Sequence, residues 1–184
     1  MEGLARLFVA APLPDDVRHG LSTLIRRAAP GGLPGRIVPP ANWHFTLRFL
    51  GDVDDLGRDR LLKELDVAGL GDPFVVGWGG LGAFPRPGRA TVLWIGADRG
   101  AADLGRLAAD VEEAVVAAGF PQEERPFRSH LTLSRIRPHQ DVSRLLETAG
   151  SFDLAMTVDR VVVYRSHLGR GGARYEEIEE FPLG

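Results

Sequence analysis

His44-Phe45-Thr46-Leu47 and His130-Leu131-Thr132-Leu133 are two copies of one pattern, one in each half of the chain. Both fall in strand-like runs, at residues 43–50 and 127–134. Side chains alternate along a strand, so each histidine and its threonine share a face. Phe45 and Leu47, or Leu131 and Leu133, then point the other way and can anchor in a core. Each copy offers an imidazole and a hydroxyl side by side on a rigid support.

Working outward, Leu7–Ala11 is a short apolar run read as a buried strand. Pro14-Asp15-Asp16 starts a helix, its early acids suited to the positive end of the dipole. Val17, Leu21, Leu24, Ile25 and Ala28 recur at helical spacing until Pro30-Gly31-Gly32. Further helices are expected at 55–68, 101–118 and 142–149. The clearest carries the stripe Leu104, Leu107, Val111, Val115, Ala118, and the last has Asp141 as its N-cap and Gly150 as its stop. Additional strands are read at 73–79, 91–96, 152–164 and 173–181. Many strands have no helix between them, which favours an α+β fold of largely antiparallel sheets. No linker divides the chain, so residues 1–184 are read as one bilobal domain.

With 184 residues, 44% hydrophobic and 26% charged, the composition is that of a globular protein able to bury a good core. No apolar run approaches a membrane span, and Met1–Arg6 lacks the features of a signal peptide. A monomer in the cytoplasm is the expectation. Cysteine is absent, which excludes a disulfide framework, a thiolate nucleophile and a cysteine metal site. A net charge of -3 argues against coating long nucleic acid but leaves room for recognition of a single nucleotide end. Lys63 is the only lysine, so no arginine is meaningful by its type alone.

The repeated pattern has the parts of a phosphoryl-transfer site. One imidazole can take a proton from an attacking water while the other protonates the leaving oxygen. Histidine titrates near neutrality, so one neutral and one protonated ring can coexist. Two threonine hydroxyls can hold non-bridging oxygens without adding charge. A single His-x-Thr in a strand is usually structural; two copies followed by leucine point to a catalytic pair.

Arg36–Gly51, which contains the first motif, resembles the first signature of the bacterial and archaeal RNA 2',3'-cyclic phosphodiesterases. These are the 2'-5' RNA ligase-like members of the two-histidine phosphoesterase superfamily. Arg125–Arg135 is similar to the second signature, with Ser129 where proline is expected. Phe84-Pro85 before Val92–Gly96 resembles the intervening strand pair. Tyr164–Leu168 with Gly172–Tyr175 resembles the C-terminal hairpin.

The resemblance implies two α+β lobes related by a pseudo-twofold axis, helices outside and a cleft between them lined by both motifs. It further implies hydrolysis of an RNA-terminal 2',3'-cyclic phosphate, or of a cyclic nucleotide, to a 2'-phosphate. His44 would be the proton donor, His130 the proton acceptor, and Thr46 and Thr132 phosphate ligands. No metal or other cofactor is expected, since His-x-Thr supplies one ligand per strand with no carboxylate cluster to complete a site. Cleavage or reverse joining of a 2'-5' linkage, and a nucleotide-binding module without turnover, are the alternatives.

The resemblance also implies that Phe49 and Arg135, each five residues after its histidine, clamp the terminal base. Alternation objects, because an odd offset puts them on the face opposite the histidine. The clamp therefore requires each strand to end or bulge after its threonine; otherwise Phe49 is core. His19 is read as a surface residue, His139 as a loop residue, and His167, beside Ser166, as a turn residue. Gly77–Gly80 and Gly169–Gly172 are read as turns, and the acidic run Glu176–Glu180 as a solvated strand face.

Overall fold

The computed structural model describes residues 3–169 and 172–184. Among them the elements follow the order β1 (Ala5–Pro12), α1 (Asp15–Ala28), β2 (Arg36–Ile37), β3 (His44–Val53), α2 (Asp55–Val67), β4 (Phe74–Phe84), β5 (Ala90–Ala97), α3 (Ala101–Ala117), β6 (His130–Gln140), α4 (Ser143–Ala149), β7 (Ala155–Val158), β8 (Arg160–Gly169) and β9 (Gly172–Pro182). Each motif histidine is thus the first residue of its strand. The strands form two antiparallel sheets, a four-stranded one ordered β3-β1-β8-β9 and a five-stranded one ordered β2-β6-β5-β4-β7. The α+β reading with two lobes of antiparallel sheet holds.

The helices follow from local chemistry. Asp15 and Asp16 open α1, Arg26 and Arg27 close it, and Val17, Leu21 and Ile25 are buried. Asp54 caps α2 by accepting from the Gly57 amide at 2.7 Å. In α4 the cap lies one residue later than read, at Val142, although Asp141 still accepts from the Ser143 amide at 2.9 Å. Among the described residues no helix is long and apolar enough to cross a membrane.

The internal repeat extends beyond the motif. β1 pairs with β3 across α1, and β5 pairs with β6 across α3. Pro12 and Ala10 lie opposite His44 and Thr46, as Gly96 and Trp94 lie opposite His130 and Thr132. In both pairs the register then slips. Val9 faces Arg48 and Leu93 faces Ser134, leaving Leu47 and Leu133 as the extra residues of two matching bulges. The leucine of each motif is therefore where the alternation changes phase.

One apolar cluster joins the lobes, containing Phe45 and Val9 of the first sheet, Leu131 and Ile95 of the second, and the inner face of α3. Phe45 is fully buried and stacks on Trp78 at 5.2 Å. Replacing it with alanine costs about 3–5 kcal/mol on the usual scale for a buried aromatic.

Several local readings are corrected. The run 152–164 is two strands, β7 in the five-stranded sheet and β8 in the four-stranded one, because alternation does not reveal which neighbour a strand takes. Residues 127–129 are irregular and lead into β6, which begins at His130. Gly77–Gly80 lies inside β4, with a register slip between Trp78 and Leu81, rather than in a turn. His139 is exposed but within β6. β3 and β6 do not end early after Phe49 and Arg135. Of the turn read at Gly169–Gly172, residues 170 and 171 lie outside the described residues.

Candidate active site

A 3-10 turn at Pro40–Asn42 delivers the chain into β3, while an irregular segment delivers it into β6. Because the backbone changes direction at each histidine, the carbonyl two residues earlier comes within reach of the ring. His44 Nδ1 lies 2.9 Å from the Asn42 oxygen, and His130 Nδ1 lies 2.8 Å from the Arg128 oxygen. A carbonyl only accepts, so Nδ1 carries the proton in both rings and Nε2 is the free lone pair of the neutral form. The Thr46 hydroxyl, 3.0 Å away, donates to His44 Nε2.

His44, Thr46, Phe49, His130, Thr132 and Arg135 all line one cavity of about 160 Å³. The bulges at Leu47 and Leu133 bring Phe49 and Arg135 to the histidine face. Phe49 is 40% exposed, so it is not core, and the Arg6 guanidinium sits 5.0 Å from its ring centre.

The cavity also takes in Phe8, Val38, Asn42, Ser166 and Tyr175, which the sequence reading did not select. Phe8 stacks on His44 at 4.9 Å, and Tyr175 meets the same imidazole edge-on at 5.3 Å. Asn42 holds His44 with its carbonyl and donates its side-chain amide to the Ala173 oxygen at 2.7 Å, tying the β8–β9 hairpin to the turn. Only Asn42, two residues before a motif histidine, carried a local signal. Phe8, Ser166 and Tyr175 arrive from β1, β8 and β9 through sheet pairing, and Val38 comes from the segment just after β2.

Burial is the main influence on both imidazoles. It lowers the His44 pKa to about 4, opposed by the Asn42 carbonyl and assisted by His130 nearby. It also lowers His130, with the Arg128 carbonyl opposing and the Arg128 and Arg135 charges assisting. Tyr175 is raised by burial, with the Arg135 charge pulling the other way. Burial thus favours the neutral form of both rings. No group of three or more His, Cys, Asp or Glu side chains suited to a metal ion occurs among the described residues.

The family model of the 2'-5' RNA ligase superfamily matches residues 4–170. This chain belongs to the 2'-5' RNA ligase superfamily. An RNA 2',3'-cyclic phosphodiesterase from Aeropyrum pernix is 33% identical over 81% of this chain and 86% of its own length. A solved structure from Thermus thermophilus superposes with a TM-score of 0.79 at 30% identity, covering 97% of each chain. Escherichia coli LigT in complex with 3'-AMP gives a TM-score of 0.77 at 26% identity, covering 98% of each chain. The resemblance carried by the two signatures therefore holds over nearly the whole molecule.

In this superfamily member the remaining histidines stay away from the cavity. His19 is exposed on α1. His167 does not sit in a turn; it lies on β8, 2.6 Å from the Glu176 carboxylate on β9, and its neighbour Ser166 lines the cavity instead. Glu176–Glu180 is largely exposed on β9 and pairs across to β8 through His167, Tyr164 and Arg160.

Proposed function

We propose that this chain hydrolyses the 2',3'-cyclic phosphate of an RNA end or cyclic nucleotide to a 2'-phosphate, with His44 as proton donor and His130 as proton acceptor. The observation that carries the reading is the convergence of two His-x-Thr strands, from different sheets, on one cavity with matching imidazole tautomers. The similarity to RNA 2',3'-cyclic phosphodiesterases gives the reaction class.

In the proposed step, His130 Nε2 takes a proton from water as its oxygen attacks phosphorus. The bond to the 3'-oxygen breaks, and His44 delivers a proton to that oxygen. Thr46 and Thr132 donate to the non-bridging oxygens as negative charge redistributes. His44 must be protonated for this role although burial lowers its pKa. The arriving phosphate anion supplies the opposing influence, and Thr46 turns its hydroxyl from Nε2 to a phosphate oxygen. Phe49 and Arg135 hold the terminal base. The chain works as a single bilobal unit, a cytoplasmic monomer needing no metal.

The test is incubation with a 2',3'-cyclic mononucleotide in excess EDTA, with the product followed by phosphorus NMR. A 2'-phosphate should form at the metal-replete rate. No turnover under any condition would leave a nucleotide-binding module, and turnover abolished by EDTA would end the two-histidine mechanism.

A further inference from the structure

The cavity has one closed side and one open side. On the closed side the Asn42–Ala173 hydrogen bond fastens the β8–β9 hairpin beside Tyr175. On the open side it runs into a groove of about 780 Å³, against about 160 Å³ for the cavity itself. The two share Thr46, Phe49 and His130. A mononucleotide ends within the cavity. An RNA strand has one more direction to go, toward its 5' side, and the groove is the opening that the catalytic face offers it.

The groove has the chemistry to hold a nucleotide. Phe84 meets His130 edge-on at 5.1 Å, and the Arg128 guanidinium lies 5.7 Å from the Phe84 ring centre. Two carboxylates reach the groove, but Glu112 and Glu123 are tied to Arg48 at 2.7 and 3.4 Å. Among the described residues Arg128 forms no ion pair, so its charge is available to a phosphate. An aromatic ring with a neighbouring guanidinium is a stacking platform that accepts any base. The far wall is α3, where Gly105 faces the groove; a Cβ there would meet nothing within 4 Å. Glycine weakens a helix interior, and no neighbour requires it at this position. Its effect is to keep the wall low.

We propose that this groove is a subsite for the nucleotide on the 5' side of the cyclic phosphate, the base stacking at Phe84 and the linking phosphate meeting Arg128. This rests on the function proposed above and makes an RNA end, rather than a free cyclic nucleotide, the preferred ligand.

Calorimetric binding of 2'-phosphorylated mono- and dinucleotides tests it without depending on turnover. The wild-type dissociation constant should be roughly tenfold or more lower for the dinucleotide, the scale of one stacked base. Gly105→Leu fills the groove from open space, and Arg128→Gln removes the charge while keeping the backbone carbonyl. In each, the two dissociation constants should converge, with thermal melts confirming the fold. Equal affinities in the wild type, or a dinucleotide advantage that survives both substitutions, would overturn the subsite and leave the active-site reading standing. If neither ligand binds, the active-site reading fails and takes the subsite with it.

Discussion

His44 rests its imidazole face on Phe8 at 4.9 Å, with Tyr175 edge-on at 5.3 Å, on the side of the cavity that the hairpin closes. His130 instead meets Phe84 and Trp94 edge-on, at 5.1 and 6.2 Å, and borders the open groove. The backbone around the two rings is alike: strand start, carbonyl on Nδ1, bulge at the motif leucine. The difference comes from the neighbouring strands. Ala10 lies opposite Thr46 where Trp94 lies opposite Thr132, and Phe8 faces Phe49 where Val92 faces Arg135. A repeated backbone therefore sets where the imidazoles point, while unrepeated neighbours set what each can do. Of the two imidazoles, only His130 also lines the open groove.

The strongest way to break this comparison is to remove each ring. His44→Ala and His130→Ala should each lower turnover by about 100- to 10,000-fold, the usual scale of general acid–base catalysis. A substrate with a very good leaving group should partly rescue His44→Ala and leave His130→Ala unchanged. The opposite pattern would exchange the two roles.

The threonines probe the shared half of the design. Thr46→Val and Thr132→Val should each cost about 10- to 100-fold in turnover, the worth of a hydrogen bond to a charged group. Melting temperatures should hold. A valine variant with wild-type turnover would make that threonine a packing residue.

Smaller effects should follow at the clamp. Phe49→Ala should raise KM for all four cyclic nucleotides roughly fivefold, the low end of what one stacked base is worth. Arg135→Ala should act in the same direction and by less. Because Phe49 is 40% exposed, its loss should scarcely move the melting temperature. A large drop in melting temperature with KM unchanged would remove it from the site.

The two imidazole pKa values set a pH dependence. His44 is lowered to about 4 and His130 is lowered below the ordinary value of 6.5. Below the lower of the pair's two apparent values no base remains, and above the higher no acid remains. The kcat/KM profile should therefore be bell-shaped with its maximum below pH 6.5. The same shift links to stability. The folded state favours a neutral His44, so its contribution is complete above pH 6.5 and is lost as pH falls toward 4. Melts at pH 7 and 4.5 should show this loss, and His44→Gln should reduce it. An optimum above pH 7.5 would show that the surroundings of His44 do not control its proton.

The amphipathic helices, the motif strands and the two histidines with their threonines were legible in the sequence, because periods of 3.6 and two are local properties of the chain. The division of 152–164 between two sheets was not, since one apolar alternation suits either partner. The clamp positions divide along the same line. Residue order alone placed Phe49 and Arg135 opposite the histidines. They reach the histidine face because β1 and β5 pair with the motif strands in a register that leaves Leu47 and Leu133 over. Register belongs to two strands at once, so neither strand's sequence contains it. For the same reason Phe8, Ser166 and Tyr175 could not be read as site residues. The chain's residue order was enough to single out the repeated imidazoles and hydroxyls proposed to act on phosphate; which faces they share, how dry each imidazole is, and on which side the cavity opens came only from strand pairing and packing between distant segments.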